Sequence, residues 1–352
     1  MSFAELDAWL NARAAGDQFS GVVLIKHRDE TLFSGQYGWA SRRWPVRPTR
    51  ATRFDTASIT KLFTSVAALQ LVDEGRLDLD SPITKIVDLS GTAISAEATM
   101  RHLLTHTSGI ADDADEEAGE SYEALWVDKP VYSVSTTRDL LPQFAHKPPN
   151  FAPGKGCRYC NSGYVLAGLA IEEITGTAYR DHIRNVVFAR AGMTASDFYD
   201  RREAAPNVAE GWDPVLDANQ RITGWKQNIF SYPSIGSPDG GAHSTVDDLV
   251  RFLRAVRGGE LLSAERTEQF LTPQVLHDRS DDGDVWYGFG LAFTRNPDGS
   301  IWNYYKDGGN AGVSTIARYY PAADLDVVML ANAYVGGLAV SREIDRLIRK
   351  ST

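Results

Sequence analysis

The chain is expected to fold as a mixed α/β (α+β) protein: an antiparallel sheet flanked by the terminal helices, with an inserted all-helical domain. Three observations predict this. Strand-like apolar runs sit near both ends of the sequence, helix-like segments fill the middle, and short polar turns join the runs at each end.

Residues 4–15 place Leu6, Trp9, Leu10 and Ala14 on one helical face. Gly21 to Ile25 reads as a buried strand, and Thr31 to Tyr37 as its hairpin partner across Arg28-Asp29-Glu30. Leu62 to Val72 is apolar on nearly all sides, which predicts a buried helix with Gly75 as its C-terminal cap. Further helices are expected at 101–104, 165–174, 179–189 and 247–256. The acidic run Asp112 to Glu117 reads as a solvated loop, and residues 236–241 as a turn cluster. Strands return at 286–293, 300–306, 313–320 and 326–331, and a last helix covers 338–349. The sheet domain is therefore expected from 1–60 with 280–352, the mostly helical domain from 61–279, and the active site at their interface.

The chain has 352 residues, 36 of them Lys or Arg and 46 Asp or Glu, for a formal charge of −10. An acidic surface repels phosphate backbones, which argues against a nucleic-acid partner. No apolar stretch is long enough to span a membrane. The first ten residues lack the basic and then apolar run of an export signal, so a cytoplasmic location is expected. Cys157 and Cys160 are the only cysteines, too few for a secreted disulfide scaffold. They could form a redox pair or half a zinc site, but no second pair exists, and two packed thiols are expected.

Three segments carry candidate chemistry. In Ser58-Ile59-Thr60-Lys61, the Ser and Lys share one side of a first helical turn. A desolvated Lys61 amine could then accept the Ser58 proton. Alternatively, Ser58 is only a helix cap and Lys61 a surface cation. In Tyr159-Cys160-Asn161, a phenol with its pKa lowered by nearby cations could relay a proton, and the amide could orient Lys61 or hold a substrate carbonyl. A loop tyrosine beside a capping Asn is the plainer reading. Lys306-Asp307-Gly308-Gly309 leads out of a strand, and its glycines would let backbone approach a ligand. A plain Gly-rich hairpin would look the same.

Taken together, the order and spacing of these segments resemble the serine β-lactamase, D-Ala-D-Ala peptidase and family VIII esterase superfamily. The approach Phe54 to Lys61 is similar, and so are Arg101-His102-Leu103-Leu104-Thr105-His106-Thr107-Ser108-Gly109-Ile110 and Gly240 to Leu249. The likeness runs from about Gly21 to Asn332. It implies a β-lactamase/transpeptidase-like fold and a serine hydrolase. Ser58 would be the nucleophile, Lys61 its base and Tyr159 the proton relay. Asn161 would contact both Lys61 and substrate, Lys306, Asp307 and Gly308 would bind substrate, and the N–H groups of Ser58 and Gly309 would form the oxyanion hole.

Asp307 departs from the pattern, because penicillin-active members usually carry Thr there. Lys rather than His at 306 leans the other way, toward substrates with a carboxylate. The expected activity is that of a carboxylesterase or a small-amide or D-peptide hydrolase. The alternatives are a β-lactamase or D-Ala-D-Ala-type peptidase, and a catalytically silent binding module of the same fold. A Ser-His-Asp hydrolase is disfavoured because no Gly-x-Ser-x-Gly elbow occurs. His102 and His106 have the spacing of a zinc pair, but no Glu follows His102, and no metal is expected. No cofactor is expected, and the partner is a small ester or amide. The oligomeric state is left open.

Overall fold

The computed structural model describes residues 2–279 and 283–350. Helix α1 (Phe3–Ala15) opens on a capping box between Ser2 and Glu5. The hairpin β1 (Gly21–His27) and β2 (Glu30–Tyr37) follows, then the short strand β3 (Phe54–Asp55) and helix α2 (Thr60–Asp73). The helical middle contains α3 (Met100–Leu104), α4 (Asn161–Thr175) and α5 (Tyr179–Ile183), the last running on through a wider turn, Arg184–Phe188. Strands β4 (Trp212–Leu216) and β5 (Ile222–Gln227) form a separate ribbon, and β6 (His243–Ser244) pairs with β3. Helices α6 (Val246–Arg257) and α7 (Ala264–Phe270) come next. They are followed by β7 (Val275–Asp278), β8 (Asp284–Tyr287) and β9 (Ala292–Arg295). The chain closes with β10 (Ile301–Asn310), β11 (Val313–Tyr320), β12 (Leu325–Ala331) and helix α8 (Gly337–Arg349).

The main sheet is antiparallel, with strand order β2-β1-β12-β11-β10-β9-β8-β7. The first hairpin thus lies against the last strand, in the register Gly21↔Ala331. A Cβ at Gly21 would stand 2.2 Å from the Leu330 carbonyl oxygen, so glycine is required at that crossing. Alternation along the strands divides the apolar residues between two cores. Val22, Leu24, Val328 and Leu330 pack with α2 and α4. Val23, Ile25, Val327 and Met329 pack with Leu6 and Leu10 of α1 and Val340 and Ile344 of α8. Burial on both faces is why these strands read as continuous apolar runs.

Two expectations need correction, and one alternative does not hold. The run 286–293 is not one strand: β8 ends at Tyr287, and the chain turns through Gly288 and Gly290 (φ +86°) before β9 starts at Ala292. The Gly308-Gly309 pair is not a hairpin turn. It stays in the ladder as Gly308↔Thr315 and Gly309↔Ser314, and the turn falls at Ala311-Gly312. Helix α4 starts four residues before the expected Val165, at Asn161, because its cap comes partly from a distant loop. The sheet also takes β7 from the segment assigned to the helical domain. Residues 280–282, at the expected boundary, lie outside the described residues.

Helix α6 docks on the inner face of the sheet through charge as well as apolar contact. Asp326 of β12, 2% exposed, receives Arg254 Nε at 2.8 Å and Arg257 Nη2 at 2.7 Å. Removing one partner of a buried pair strands the other charges. Asp326→Ala is therefore expected to cost about 3–5 kcal/mol in chemical unfolding. A loss below about 1 kcal/mol would mean that apolar packing alone holds α6.

Candidate active site

The Ser58 turn is built under strain and held from several sides. It is a single tight helical turn, Ala57–Ile59, leading directly into α2. Ala57 has φ +43°, a conformation that costs a residue with a Cβ roughly 1–2 kcal/mol. The neighbouring bonds supply the constraint. Ala57 N–H donates to Asp55 Oδ1 at 2.8 Å, and Thr56 N–H and Oγ1 both donate to the Ala242 carbonyl, at 2.8 and 2.7 Å. Thr315 Oγ1 donates to the Thr56 carbonyl at 3.0 Å, tying the turn to β11. Gly308 lets β10 come close: a Cβ there would meet the Thr56 carbonyl oxygen at 2.3 Å.

Lys61 lies on the buried helix α2 and is itself fully buried. Its Nζ has three neighbours, Ser58 Oγ at 3.1 Å, Asn161 Oδ1 at 2.7 Å and the Asp239 carbonyl oxygen at 2.6 Å. Burial pulls its pKa down to about 8, with Lys306 adding to the effect and Asp239, Glu116 and Asp112 opposing it. A neutral amine has two hydrogens and one lone pair. The two fixed acceptors, Asn161 and Asp239, match the two hydrogens and leave the lone pair toward Ser58.

Tyr159 O–H donates to Ser58 Oγ at 2.8 Å from the other side. Lys306 Nζ stands 4.8 Å, and Lys61 Nζ 5.0 Å, from the centre of the Tyr159 ring. The expected lowering of the Tyr159 pKa is not what these cations achieve: burial, then the charge of Glu116, drives it well above its ordinary value. The raised pKa favours the phenol form, which keeps the O–H that Ser58 Oγ accepts. The Tyr159 ring packs against His106, tilted by 34° with 4.6 Å between centres. His106 is buried, with its pKa driven well down by burial, and its Nδ1 accepts the Cys160 N–H at 3.1 Å. His102 Nδ1 likewise accepts the Thr99 N–H at 3.3 Å. Both imidazoles serve the backbone, and no group of three ligand-type side chains gathers among the described residues. Cys157 and Cys160 are free thiols, as expected. Cys160 caps α4 by accepting the Gly163 N–H at 3.3 Å.

On β10 the alternation holds, with Lys306 and Gly308 buried and Asp307 and Gly309 exposed. Even so, Asp307 Oδ1 reaches to 3.5 Å from Lys306 Nζ. Strand β9 pairs only as far as Tyr305, so from Lys306 onward that edge of β10 has no strand beside it. Lys306, Asp307 and Gly309 line, with Ser58, Tyr159 and Asn161, one cleft of about 820 Å³.

Reading the sequence missed two groups of residues. Asp239 contributes a backbone carbonyl, which no side-chain motif reveals. The Asp112–Glu117 stretch is solvated only in part: Asp112 and Asp113 are 4% and 3% exposed, whereas Glu116 and Glu117 are exposed where they line the cleft. Glu116 Oε1 accepts from Asn161 Nδ2 at 3.0 Å, Glu117 Oε1 accepts the Tyr159 N–H at 2.9 Å, and Asp115 pairs with Arg158 at 2.7 Å. The density of acidic letters was visible, but not their long-range partners.

A family model described as Beta-lactamase matches residues 6–348. The chain belongs to the beta-lactamase family. Among solved structures, the penicillin binding protein from Bacillus halodurans is 34% identical, with a TM-score of 0.87 over 96% of this chain and 99% of that one. A D-stereospecific amidohydrolase from Streptomyces sp. is 25% identical, with a TM-score of 0.78 over 98% of each chain. Esterase EstB of Burkholderia gladioli is 29% identical over 72% of this chain and 70% of its own. The chain is thus a member of a serine hydrolase superfamily, with the β-lactamase/transpeptidase fold. None of its described helices is long and apolar enough to cross a membrane.

The Lys61 amine is expected to titrate near 8 rather than near 10.5. NMR of lysine labelled at Cε, with Lys61→Arg to assign the resonance, measures this. A value near 10.5 would show that water or charge compensates its burial.

Proposed function

We propose that the protein is an acyl-transferring serine hydrolase that forms an acyl-enzyme on Ser58, and that its substrates are small esters or amides. One observation carries this reading: Ser58 Oγ sits between Lys61 Nζ at 3.1 Å and Tyr159 Oη at 2.8 Å. Neutral Lys61 takes the Ser58 proton as Oγ attacks the acyl carbon. The N–H groups of Ser58 and Gly309 receive the developing oxyanion. Tyr159 gives its proton to the leaving nitrogen or oxygen and is reprotonated from Lys61. Water then attacks the acyl-enzyme, and its proton follows the same route back while Ser58 Oγ is protonated and released. The intact triad of Ser58, Lys61 and Tyr159 favours an enzyme over a silent binding module.

The charge in the cleft favours an amine-bearing substrate over a carboxylated β-lactam. Glu116, Glu117, Glu120 and Glu123 line it from one loop. Asp55, Asp213, Asp239 and Asp307 line it from elsewhere, against Lys306 and Arg201. Asp307, where penicillin-active relatives usually have an uncharged Thr, also offsets the charge of Lys306. The similarity to a D-stereospecific amidohydrolase supports the same reading.

A fluorophosphonate is expected to label Ser58, and Ser58→Ala to lose about a thousandfold or more in rate while remaining folded. Labelling of another serine in peptide mapping would overturn the nucleophile assignment. On a neutral p-nitrophenyl ester, kcat/KM should rise with pH through an ionisation near 8, as Lys61 loses its proton. Tyr159→Phe should cost about a hundredfold with little change in Tm. Among D-aminoacyl p-nitroanilides, free amines should exceed their N-succinyl derivatives by roughly tenfold or more in kcat/KM, the size of one charge-assisted contact. Preference for the succinylated series would restore Lys306 as a carboxylate receptor.

A further inference from the structure

We propose that Asp112 is a positioning residue of the active site: by holding the Asn161 side-chain amide in one orientation, it aims Lys61 at Ser58. This inference rests on the acyl-transfer reading above. The two ends of an amide have nearly the same shape, so only its neighbours decide which way Asn161 points. Asp112 decides it here. Its Oδ2 accepts the Asn161 N–H at 2.9 Å and Asn161 Nδ2 at 3.2 Å. Its Oδ1 accepts the Ser162 N–H at 2.8 Å, Ser162 Oγ at 2.9 Å and the Asp113 N–H at 3.1 Å. The Asn161 and Ser162 donors sit at the N-terminus of α4, where a negative charge is stabilised. Lys147 Nζ anchors the loop by donating to the Asp112 and Asp113 carbonyls, at 2.8 and 2.7 Å.

The adjacent carboxyls differ in what surrounds them. Burial raises the pKa of both, Asp113 well up because the charge of Asp112 adds to it, whereas at Asp112 the hydrogen bonds from Asn161 and Ser162 and the charge of Lys61 oppose the rise. The donors converging on both Asp112 oxygens leave it as an acceptor toward Asn161, so it selects the NH₂ end of the amide and sets Oδ1 on Lys61 Nζ. The second amide hydrogen points to the cleft, where the exposed Glu116 takes it at 3.0 Å. A substrate carbonyl arriving beside Ser58 can take the place of Glu116 without disturbing the Asp112 bond. A flipped amide would instead turn its NH₂ toward Lys61, removing one of the two acceptors that aim the amine lone pair.

Asp112→Asn keeps the shape and removes this selection, since an amide can face Asn161 with either end. On a neutral p-nitrophenyl ester, kcat is expected to fall about a hundredfold, with KM changed by no more than about threefold. The acid limb of the pH profile should move to lower pH. Lys61 faces Asp112, Asp239, Glu116 and Lys306, and the Asp112 charge is among those that hold its pKa up. In an Asn161→Ala background, Asp112→Asn should have little further effect on kcat, because the amide it orients is gone. Ser162→Ala removes one Asp112 bond without touching Asn161, and should lower Tm while leaving kcat nearly unchanged. Should Asp112→Asn fail to fold, Asp112→Glu keeps the charge and displaces it, and the same non-additivity with Asn161→Ala is expected. Additive losses in either cycle, or a Ser162→Ala loss in kcat matching that of Asp112→Asn, would reduce Asp112 to a helix cap and overturn the proposal. Failure of wild-type Ser58 to label would instead refute the acyl-transfer reading, before any variant is made.

Discussion

The arrangement of the cleft depends on one constraint, the burial of the Lys61 amine. A buried amine must be surrounded by acceptors, or the cost of removing it from water is not offset. Its polar neighbours come from three separate parts of the chain: Ser58 one turn back, and the two acceptors, the first residue of α4 and the backbone at Asp239. Those parts must be held in register. Thr64, one turn further along α2, donates to the Pro238 carbonyl at 2.6 Å and so fixes the turn that presents Asp239. Gly168 of α4 lets Pro238 pack against it, since a Cβ there would stand 2.1 Å from Pro238 Cγ. The apolar periphery of α2 keeps water away from the same amine.

Much of this was legible in the sequence, and what was not has identifiable causes. The sheet strands were visible because they are buried on both faces, and the Ser58–Lys61 pair because helical spacing alone brings it together. Gly75 was readable as a stop, and it adopts φ +69° with its N–H on the Val72 carbonyl. The start of α4 was misplaced because Asp112, far away in sequence, takes its first N–H groups. The acidic run was read as solvated because charge density in a sequence says nothing about the donors that meet it. The lowered Tyr159 pKa on which the relay reading was conditioned is not found, because nearby cations were weighed and the burial of the ring was not.

The frame of this fold leaves charge free to vary where it meets substrate. The β10 edge presents Lys306 from within and Asp307 from the rim, so one residue at the rim alters the field around a fixed cation. The loop carrying Glu116 and Glu117 is tied to the Tyr159 segment by bonds that do not involve the nucleophile. Fold likeness alone therefore says little about which ester or amide is turned over.

The pairing of β1 with β12 sets an order on folding. Gly21 meets Ala331 across nearly the whole length of the chain. The entropy of closing so long a loop grows only slowly with its length, by about 0.6 kcal/mol for each doubling, but contacts of such wide separation form slowly. As the chain emerges from a ribosome, the hairpin of β1 and β2 waits with one edge open until β12 arrives. The Ser58 turn waits with it, since Thr315 and Gly308 enter only with β10 and β11. The Ser58 turn is thus completed among the last features of the molecule, and a chain interrupted before its final strands holds the motif without the cleft.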